Sequence, residues 1–475
     1  MNILTMTEPR FQRLKAQLCQ RQNCENLSVG FLTSIESTEN REFLLRDDFL
    51  PATDDYRVQS AHLVSLKAES LTGVLQRARD YQGVMLAHNH LGDAFASPTD
   101  EIGITKFARN LKDFQSNGVW LQLIQGRDGI YARIGNTDDC EPLDRIKIIS
   151  DNGIQLIKPL NSRDKETAAV DEARHTRTLN LLGESGPATF ELMQTLKFGF
   201  IGAGGVMSAF ADVFKFFGPN HVVIVDDDCV ERTNANRLFG YHQDDDGARK
   251  VDVMRRELLA FDPEMNVETV NATFPDEASL SALKSCDVWI VGPDNHFCRY
   301  WSAHYSNRYL KPLLEFGSGI RLDKTQGRPV AVGSHFRLQL PTESGKCLVC
   351  NGLNVERLLS PQQEAFNHDA SLATGYIQNS DLPTPASVVT INSIAATLGC
   401  RTLLAYFSGV GEVPSYVEYD ELNCEIRNLS GVLAKNPECP ICGGGAESVW
   451  GWGDTLPPQM RLMDAPEEVE NYAVR

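Results

Sequence analysis

The sequence predicts an α/β protein of two domains, a mixed α+β unit followed by a parallel-sheet unit. Three observations carry that expectation. The chain has 475 residues, 42% of them hydrophobic, which can bury sizeable cores but exceeds what one core usually organises. Its first part mixes apolar runs with a hairpin signal, whereas its second part alternates short apolar runs with helical stretches, the βαβ pattern of a parallel sheet. Between them, Asn161 to Asp171 is polar, charged and poor in large apolar residues, as a linker would be.

In chain order, Leu27 to Leu32 and Val84 to Leu86 read as strands, and Ser70 to Asp80 reads as a helix leading into the second of them. That strand delivers His88. Val119 to Gln125 and Ile130 to Ile134 flank Gly126-Arg127-Asp128-Gly129 and read as a hairpin whose glycines permit the turn. Beyond the linker come a strand at Phe198 to Ile201, a helix from Val206, a strand at Val222 to Asp226, a helix around Lys250 to Ala260 and a strand at Val288 to Val291. Pro329 to Leu340 and Tyr416 to Tyr419 add further strand-like material. The expected domains are therefore 1-160 and 173-445, joined by a linker at 161-172. Residues 446-475 form a tail, whose Asp464, Glu467, Glu468 and Glu470 suggest a solvated acidic end. There is no internal repeat.

Composition excludes some functions. The formal charge of -18 argues against nucleic acid, which needs clustered Lys and Arg to displace counterions. Met1 to Arg21 places Phe11, Leu14 and Leu18 at helical spacing among basic residues, with no apolar run long enough for a signal or a spanning segment. A cytoplasmic chain without membrane partners is expected. Among the 12 cysteines are two CxxC pairs, and in a large chain of this kind they suggest metal binding rather than a disulfide framework.

The first chemical constellation is His88-Asn89-His90 followed by Ser97-Pro98-Thr99-Asp100. Two imidazoles one residue apart on an extended segment share a side, and a carboxylate from the next helix can complete three zinc ligands while leaving a fourth position open. Ser97 before Pro98 also reads as a helix cap, with Ile104, Phe107, Leu111 and Phe114 on the apolar side. Capping alone would explain Ser97, and a polar turn alone would explain a lone histidine. Four matching residues at this spacing favour the metal site. The segment resembles the JAMM (JAB/MPN) metalloproteases from the start of the chain to about the linker, which implies a JAB/MPN-like α+β domain. By that resemblance His88, His90 and Asp100 bind zinc, Ser97 stabilises the oxyanion and Glu25 takes the proton from the attacking water. Glu36 competes with Glu25 for that role. The chain departs from the family pattern in a shorter loop between His90 and Ser97 and in Leu91 where Pro is common, which keeps Asp93 as an outside candidate ligand.

The second constellation is Gly202-Ala203-Gly204-Gly205 after the strand Phe198 to Ile201, with Asp226 ending the next strand. Such a turn lets backbone N–H groups approach phosphates at a helix N-terminus, and the acidic residue is placed to hold ribose hydroxyls. With Asp228, Glu231, Asn234 and Arg237 following, the segment resembles the ThiF/MoeB and ubiquitin-activating enzyme family. The resemblance implies a Rossmann-like adenylation domain that binds ATP through Gly202, Gly204, Gly205, Asp226, Asp228, Asn234, Arg237 and Lys250. Asp294 would hold magnesium. Arg177, in Arg174-His175-Thr176-Arg177, matches an arginine that the family inserts across a dimer interface, so a homodimer is implied. On residue type alone, Arg174 and Arg177 would be a solvated charged face. Met207 stands where both this family and the plain dinucleotide fingerprint have glycine, and either tightens helix packing or crowds the nucleotide.

Cys347-Leu348-Val349-Cys350 and Cys439-Pro440-Ile441-Cys442 make a four-thiolate set suited to a closed structural zinc site. The other cysteines read as ordinary thiols. Together these readings imply a bifunctional enzyme of a ubiquitin-like modification pathway, with ATP, magnesium and one catalytic and one structural zinc. One domain would adenylate the C-terminus of a ubiquitin-like protein; the other would cleave a peptide or isopeptide bond after such a terminus. A conjugating enzyme is a further candidate partner. Two alternatives stay open: a peptide or sulfur-carrier adenylating enzyme with a processing protease domain, and a degenerate binding scaffold. The stretch 351 to 385 holds no cysteine, leaving Cys424, and behind it Cys400, as the candidates for a thioester.

Overall fold

Period-two apolar alternation and parallel crossovers build two sheets in the computed structural model, which describes residues 1–115, 118–164, 172–322, 329–355, 388–445 and 448–455. The first sheet uses β1 (Asn2–Thr7), β2 (Leu27–Glu36), β3 (Arg41–Phe49), β6 (Gly83–Asn89), β7 (Val119–Gln125), β8 (Ile130–Gly135), β9 (Cys140–Pro142), β10 (Arg145–Ser150) and β11 (Gly153–Ile157). Their spatial order is β11-β10-β1-β3-β2-β6-β7-β8-β9. A separate small hairpin joins β4 (Tyr56–Gln59) and β5 (Val64–Leu66). One face carries α1 (Glu8–Leu18), whose Phe11, Leu14 and Leu18 join Leu4, Leu121 and Ile146 in a core. The opposite face carries α2 (Ala68–Ala78) and α3 (Pro98–Phe114), packed over Val29, Phe31 and Trp120. The expected hairpin is β7 and β8, in register from Gln125 opposite Ile130.

The second sheet runs β14-β13-β12-β15-β16-β17-β18-β19. Its parallel part is β12 (Lys197–Ile201), β13 (His221–Val225), β14 (Asn266–Val270), β15 (Val288–Val291) and the start of β16 (Leu313–Leu322). β17 (Pro329–Gln339), β18 (Tyr416–Asp420) and β19 (Glu425–Asn428) continue it antiparallel. The helices are α4 (Glu172–Leu182), α5 (Gly186–Thr195), α6 (Gly205–Phe214), α7 (Lys250–Phe261), α8 (Glu277–Lys284), α9 (His296–Arg308) and α10 (Val389–Ser408). Because β12 pairs β13 on one side and β15 on the other, the strand order reverses there while the strands stay parallel. A crevice opens at the carboxyl ends of these strands, where α/β folds bind ligands.

Alternation along β12 and β15 divides the second core. Phe198, Phe200, Val288 and Ile290 face α6 and α10, with Phe210, Phe214 and Tyr406. Trp289, Val291, Val223 and Val225 face the other way, and there they meet Ile35, Leu44 and Ile149 of the first sheet. The two units thus share a buried apolar layer. Inside it, Lys147 lies 2.7 Å from Glu42 and 2.7 Å from Asp287, while Lys311 lies 2.5 Å from Glu42.

One expectation needs correction. A tail beginning at 446 is not what the described part shows: Ser448, Val449, Trp450 and Trp452 are buried. Trp452 stacks on Tyr81 at 5.6 Å between ring centroids, and the Arg46 guanidinium lies over both Trp450 and Trp452. Thr33 Oγ1 donates to the Gly451 carbonyl and Asp454 N–H to the Ser34 carbonyl, each at 2.7 Å. Aromatic area, not acidity, decides the fate of this segment. The acidic residues Asp464, Glu467, Glu468 and Glu470 lie outside the described residues, as does most of the expected linker. Met207, for which two readings stood open, is fully buried and would meet a Cβ placed on Gly292 at 2.6 Å. It fills the gap between α6 and β15 and so tightens packing.

Candidate active sites

β6, an interior strand, carries His88 near its carboxyl end, and His90 follows one residue past the strand's end, its N–H bonded to the Gln125 carbonyl at 2.9 Å. Ser97 caps α3: its Oγ accepts the Asp100 N–H at 3.3 Å, and the Asp100 carboxylate accepts the Ser97 N–H at 2.8 Å. This reciprocal cap with Pro98 in the first turn explains why the helix starts there, and it fixes Asp100 toward the histidines. His88 Nε2 lies 3.2 Å from His90 Nε2 and 3.1 Å from Asp100 Oδ1, and His90 Nε2 lies 3.3 Å from Asp100 Oδ2. Tetrahedral zinc with N and O bonds of about 2.0–2.1 Å has ligand-to-ligand edges of about 3.3 Å. The triangle fits that ion.

Glu25 Oε1 stands 3.9 Å from His90 Nε2. Burial pushes its carboxyl up to about 7, against the pull of His88, a value suited to a proton acceptor near neutral pH. Burial acts to raise Asp100 as well, but bonds from His88 and Ser97 outweigh it and hold that carboxyl well below the usual range. The His90 imidazole is pushed down by burial and by His88, which favours the neutral, ligating form. Glu36 ends β2 at the end away from the histidines, exposed and paired with Arg41 at 3.0 Å. Asp93 is exposed and does not join the group of metal-competent atoms formed by His88, His90 and Asp100.

Sequence reasoning missed Asn89, which lies between the two histidines. Its Oδ1 accepts the Asn26 N–H at 2.6 Å and its Nδ2 donates to the Cys24 carbonyl at 3.5 Å, bracketing Glu25 on both sides. The signal was present in the HNH spacing, because the middle residue of such a strand must point away from the metal. Phe95 was missed too: 54% exposed, it meets His90 edge-on at 5.6 Å.

In the second unit, Gly202 takes φ +98, a left-handed conformation that favours glycine. Gly204 caps α6. A Cβ on Gly205 would meet Asn392 Nδ2 of α10 at 2.8 Å and Arg237 Cγ at 3.0 Å, so the glycine lets both side chains close over the helix start. Asp226 accepts the Ala203 N–H at 2.6 Å and the Asp228 N–H at 2.8 Å, tying the Gly-rich turn to the end of β13. Lys250 Nζ lies 2.6 Å from Asp228 Oδ2. Asn234 Oδ1 accepts the Glu231 N–H at 3.1 Å, and Arg237 donates to the Thr233 carbonyl at 2.8 Å. Asp294 is exposed beyond β15, next to Asn295, which caps α9 by accepting the Cys298 N–H at 2.8 Å. The crevice therefore gathers backbone donors, two cations and a free-standing carboxylate at the point where the strand order reverses. Arg177 is exposed on α4, with no hydrogen bond or ion pair among the described residues.

The Cys347, Cys350, Cys439 and Cys442 sulfurs come together within 4.8 Å of one another. Cys347 to Cys439 and Cys350 to Cys442 are both 3.7 Å, against about 3.8 Å for a tetrahedral edge with Zn–S bonds of about 2.3 Å. The donor set fits structural zinc. Cys400 is buried inside α10 and its thiol is raised by burial, whereas Cys424 is exposed in the β18–β19 turn at φ 52.

Comparison with known proteins follows this division. The sequence model of the ThiF family matches residues 174–441. A sulfur carrier protein adenylyltransferase of Thermus thermophilus is 27% identical over 265 residues, covering 55% of this chain and 88% of that protein. A SAMP-activating enzyme E1 of Haloferax volcanii is 24% identical, covering 58% of this chain and 91% of its own length. Ubiquitin-like modifier-activating enzyme 5 of Oryza sativa is 25% identical, covering 59% of this chain and 64% of that protein. Among the described residues no helix is long and apolar enough to cross a membrane.

Proposed function

The chain belongs to the ThiF family, and from that premise we propose a bifunctional enzyme of a ubiquitin-like modification pathway. The second unit activates the C-terminal carboxylate of a ubiquitin-like protein with ATP; the first cleaves a peptide or isopeptide bond beyond such a terminus. The observation that carries the pairing is the zinc-sized triangle of His88, His90 and Asp100, with Glu25 beside it, in a chain whose other half is an adenylating family domain.

In the adenylation step the carboxylate oxygen attacks the α-phosphorus of ATP, an acyl-phosphate bond forms, the bond to the β-phosphate oxygen breaks and pyrophosphate leaves. The Gly202 to Gly205 turn offers backbone N–H groups and a helix N-terminus to the phosphates. Asp226 takes the ribose hydroxyls, with Asp228 and Asn234 shaping that wall. Arg237 and Lys250 offset negative charge, Lys250 exchanging Asp228 for phosphate. Magnesium held at Asp294 would add charge neutralisation on the leaving phosphates. Arg177, unpaired on the same helix as the exposed Leu181, is free to enter the crevice of a second copy, and a homodimer completes each site.

In the hydrolase, zinc held by His88, His90 and Asp100 would supply Lewis acidity toward the scissile carbonyl. Glu25 takes a proton from the attacking water and passes it to the leaving amine. Ser97 Oγ, 2.7 Å from Asp100 Oδ2, orients that ligand and turns to the oxyanion as charge develops. Zinc at the four cysteines would be structural. With Cys400 buried and Cys424 in a strained surface turn, the acyl group leaves by direct attack or through a partner's cysteine.

A second reading is adenylation of a peptide or sulfur carrier, and its sulfur-carrier form is favoured by the Thermus relative, a sulfur carrier protein adenylyltransferase. One experiment separates the chemistries: Glu25→Gln abolishes cleavage and keeps ATP–pyrophosphate exchange, and Asp294→Ala does the reverse. Loss of both activities in either variant would sink the two-site reading. A scaffold would hold one zinc instead of two and show neither activity.

A further inference from the structure

Beside the histidine site lies a cavity of about 940 Å³ between the end of α1 and the β7–β8 hairpin. Asn89, His90 and Leu91, at the end of β6, form part of its wall, so the cavity lies beside the strand end that carries the histidines. Lys15, Arg21, Arg127 and Lys158 also line it, against Asp128 as the single carboxylate. This local excess runs against a chain of 63 acidic and 45 basic residues. All four cations are exposed, and none makes an ion pair among the described residues. Arg21 donates to Thr53 Oγ1 at 3.0 Å and Lys15 rests on the Phe11 ring. Asp128 is exposed, and one of its oxygens accepts the Ala94 N–H at 2.7 Å.

We infer that this groove holds an extended acidic peptide segment flanking the amide bond cleaved at the histidine site. The inference rests on the hydrolase reading and names its substrate. Four exposed cations along a groove, against a single carboxylate, complement Asp and Glu side chains and repel a basic segment. A nucleic acid strand would want exposed rings to stack on, but Phe11, the one benzene ring along the groove, is buried. It would also bring no amide to His90. Each exposed contact contributes little by itself, so recognition is the sum of several and weakens with salt.

The test uses the full-length zinc-loaded Glu25→Gln chain, so that nothing is cut, and fluorescence anisotropy with labelled Asp/Glu-rich, uncharged and Lys/Arg-rich peptides of equal length. The acidic peptide is expected to bind about tenfold tighter than the uncharged one at low salt and to lose that advantage at high salt. Arg127→Glu combined with Lys158→Glu should remove the preference while zinc content stays that of the parent. Equal binding of the three peptides, or a preference that survives the charge reversals, overturns the inference. If the acidic peptide binds only after residues 456–475 are deleted, the occupant in the intact chain is its own acidic end, and the inference of a substrate segment is overturned. Cleavage is read separately on the unsubstituted chain. An acidic preference without any cleavage leaves the groove standing and removes the hydrolase.

Discussion

Lys147, from the first sheet, and Asp287, three residues past α8 in the second unit, form a 2.7 Å ion pair across the layer that joins the two units. Asp287 leads directly into β15, whose far end delivers Asp294. The first unit is therefore fastened to the strand that leads to the proposed magnesium ligand. Removing one partner of a buried pair leaves an uncompensated charge. Lys147→Met is expected to lower unfolding stability by about 3 kcal/mol, read from urea denaturation. Adding Asp287→Leu to it should recover much of that loss, and a double variant no more stable than Lys147→Met would show that the pair is not the cause.

The same pair sets a pH dependence. Burial acts to raise the Asp287 carboxyl, but Lys147 and Lys311 outweigh it and hold it at about 2. Its folded value lies below its unfolded value of about 3.9. The stabilisation is therefore present above roughly pH 4 and is lost as pH falls toward 2, by about 2 kcal/mol. Urea midpoints measured between pH 5 and pH 2 should fall more steeply for the parent than for Asp287→Asn, and parallel curves would contradict the assignment.

Asn89 fixes Glu25 by holding the backbone on both sides of it. Asn89→Ala is expected to keep both zinc ions and the KM for a cleavable substrate while lowering kcat about tenfold, the loss typical of a displaced general base. Zinc loss in this variant would instead place Asn89 in support of the histidines.

Arg177→Ala and Asp294→Ala should each be inactive in pyrophosphate exchange. Mixed together, they should regain part of the activity through dimers that hold one intact site. Absence of recovery in mixtures shown to exchange subunits would remove the trans role of Arg177.

Local features were readable from sequence because their physics is local. A Ser-Pro-x-Asp cap announces itself within one turn, as does a Gly-rich turn between an apolar strand and a helix, and both put their residues where spacing said they would lie. Glu42, Lys147 and Lys311 were not readable. A lone charge in an apolar strand looks like a solvated face until the partner strand, more than a hundred residues away, covers it. Trp450 and Trp452 were hidden for a related reason, since their partners Arg46 and Tyr81 lie at the other end of the chain. The basic groove draws its cations from α1, a hairpin and the end of β11, a set that no sequence window contains.

The most direct test of a chain that both activates and cleaves is ATP–pyrophosphate exchange with small β-grasp proteins ending in Gly, each supplied mature and extended by a short C-terminal peptide. The unsubstituted chain is expected to support exchange with both forms, after trimming the extended one, whereas Glu25→Gln should exchange only with the mature form and Asp294→Ala with neither. Exchange by Glu25→Gln on the extended form, or none by the unsubstituted chain on any mature protein, would contradict it.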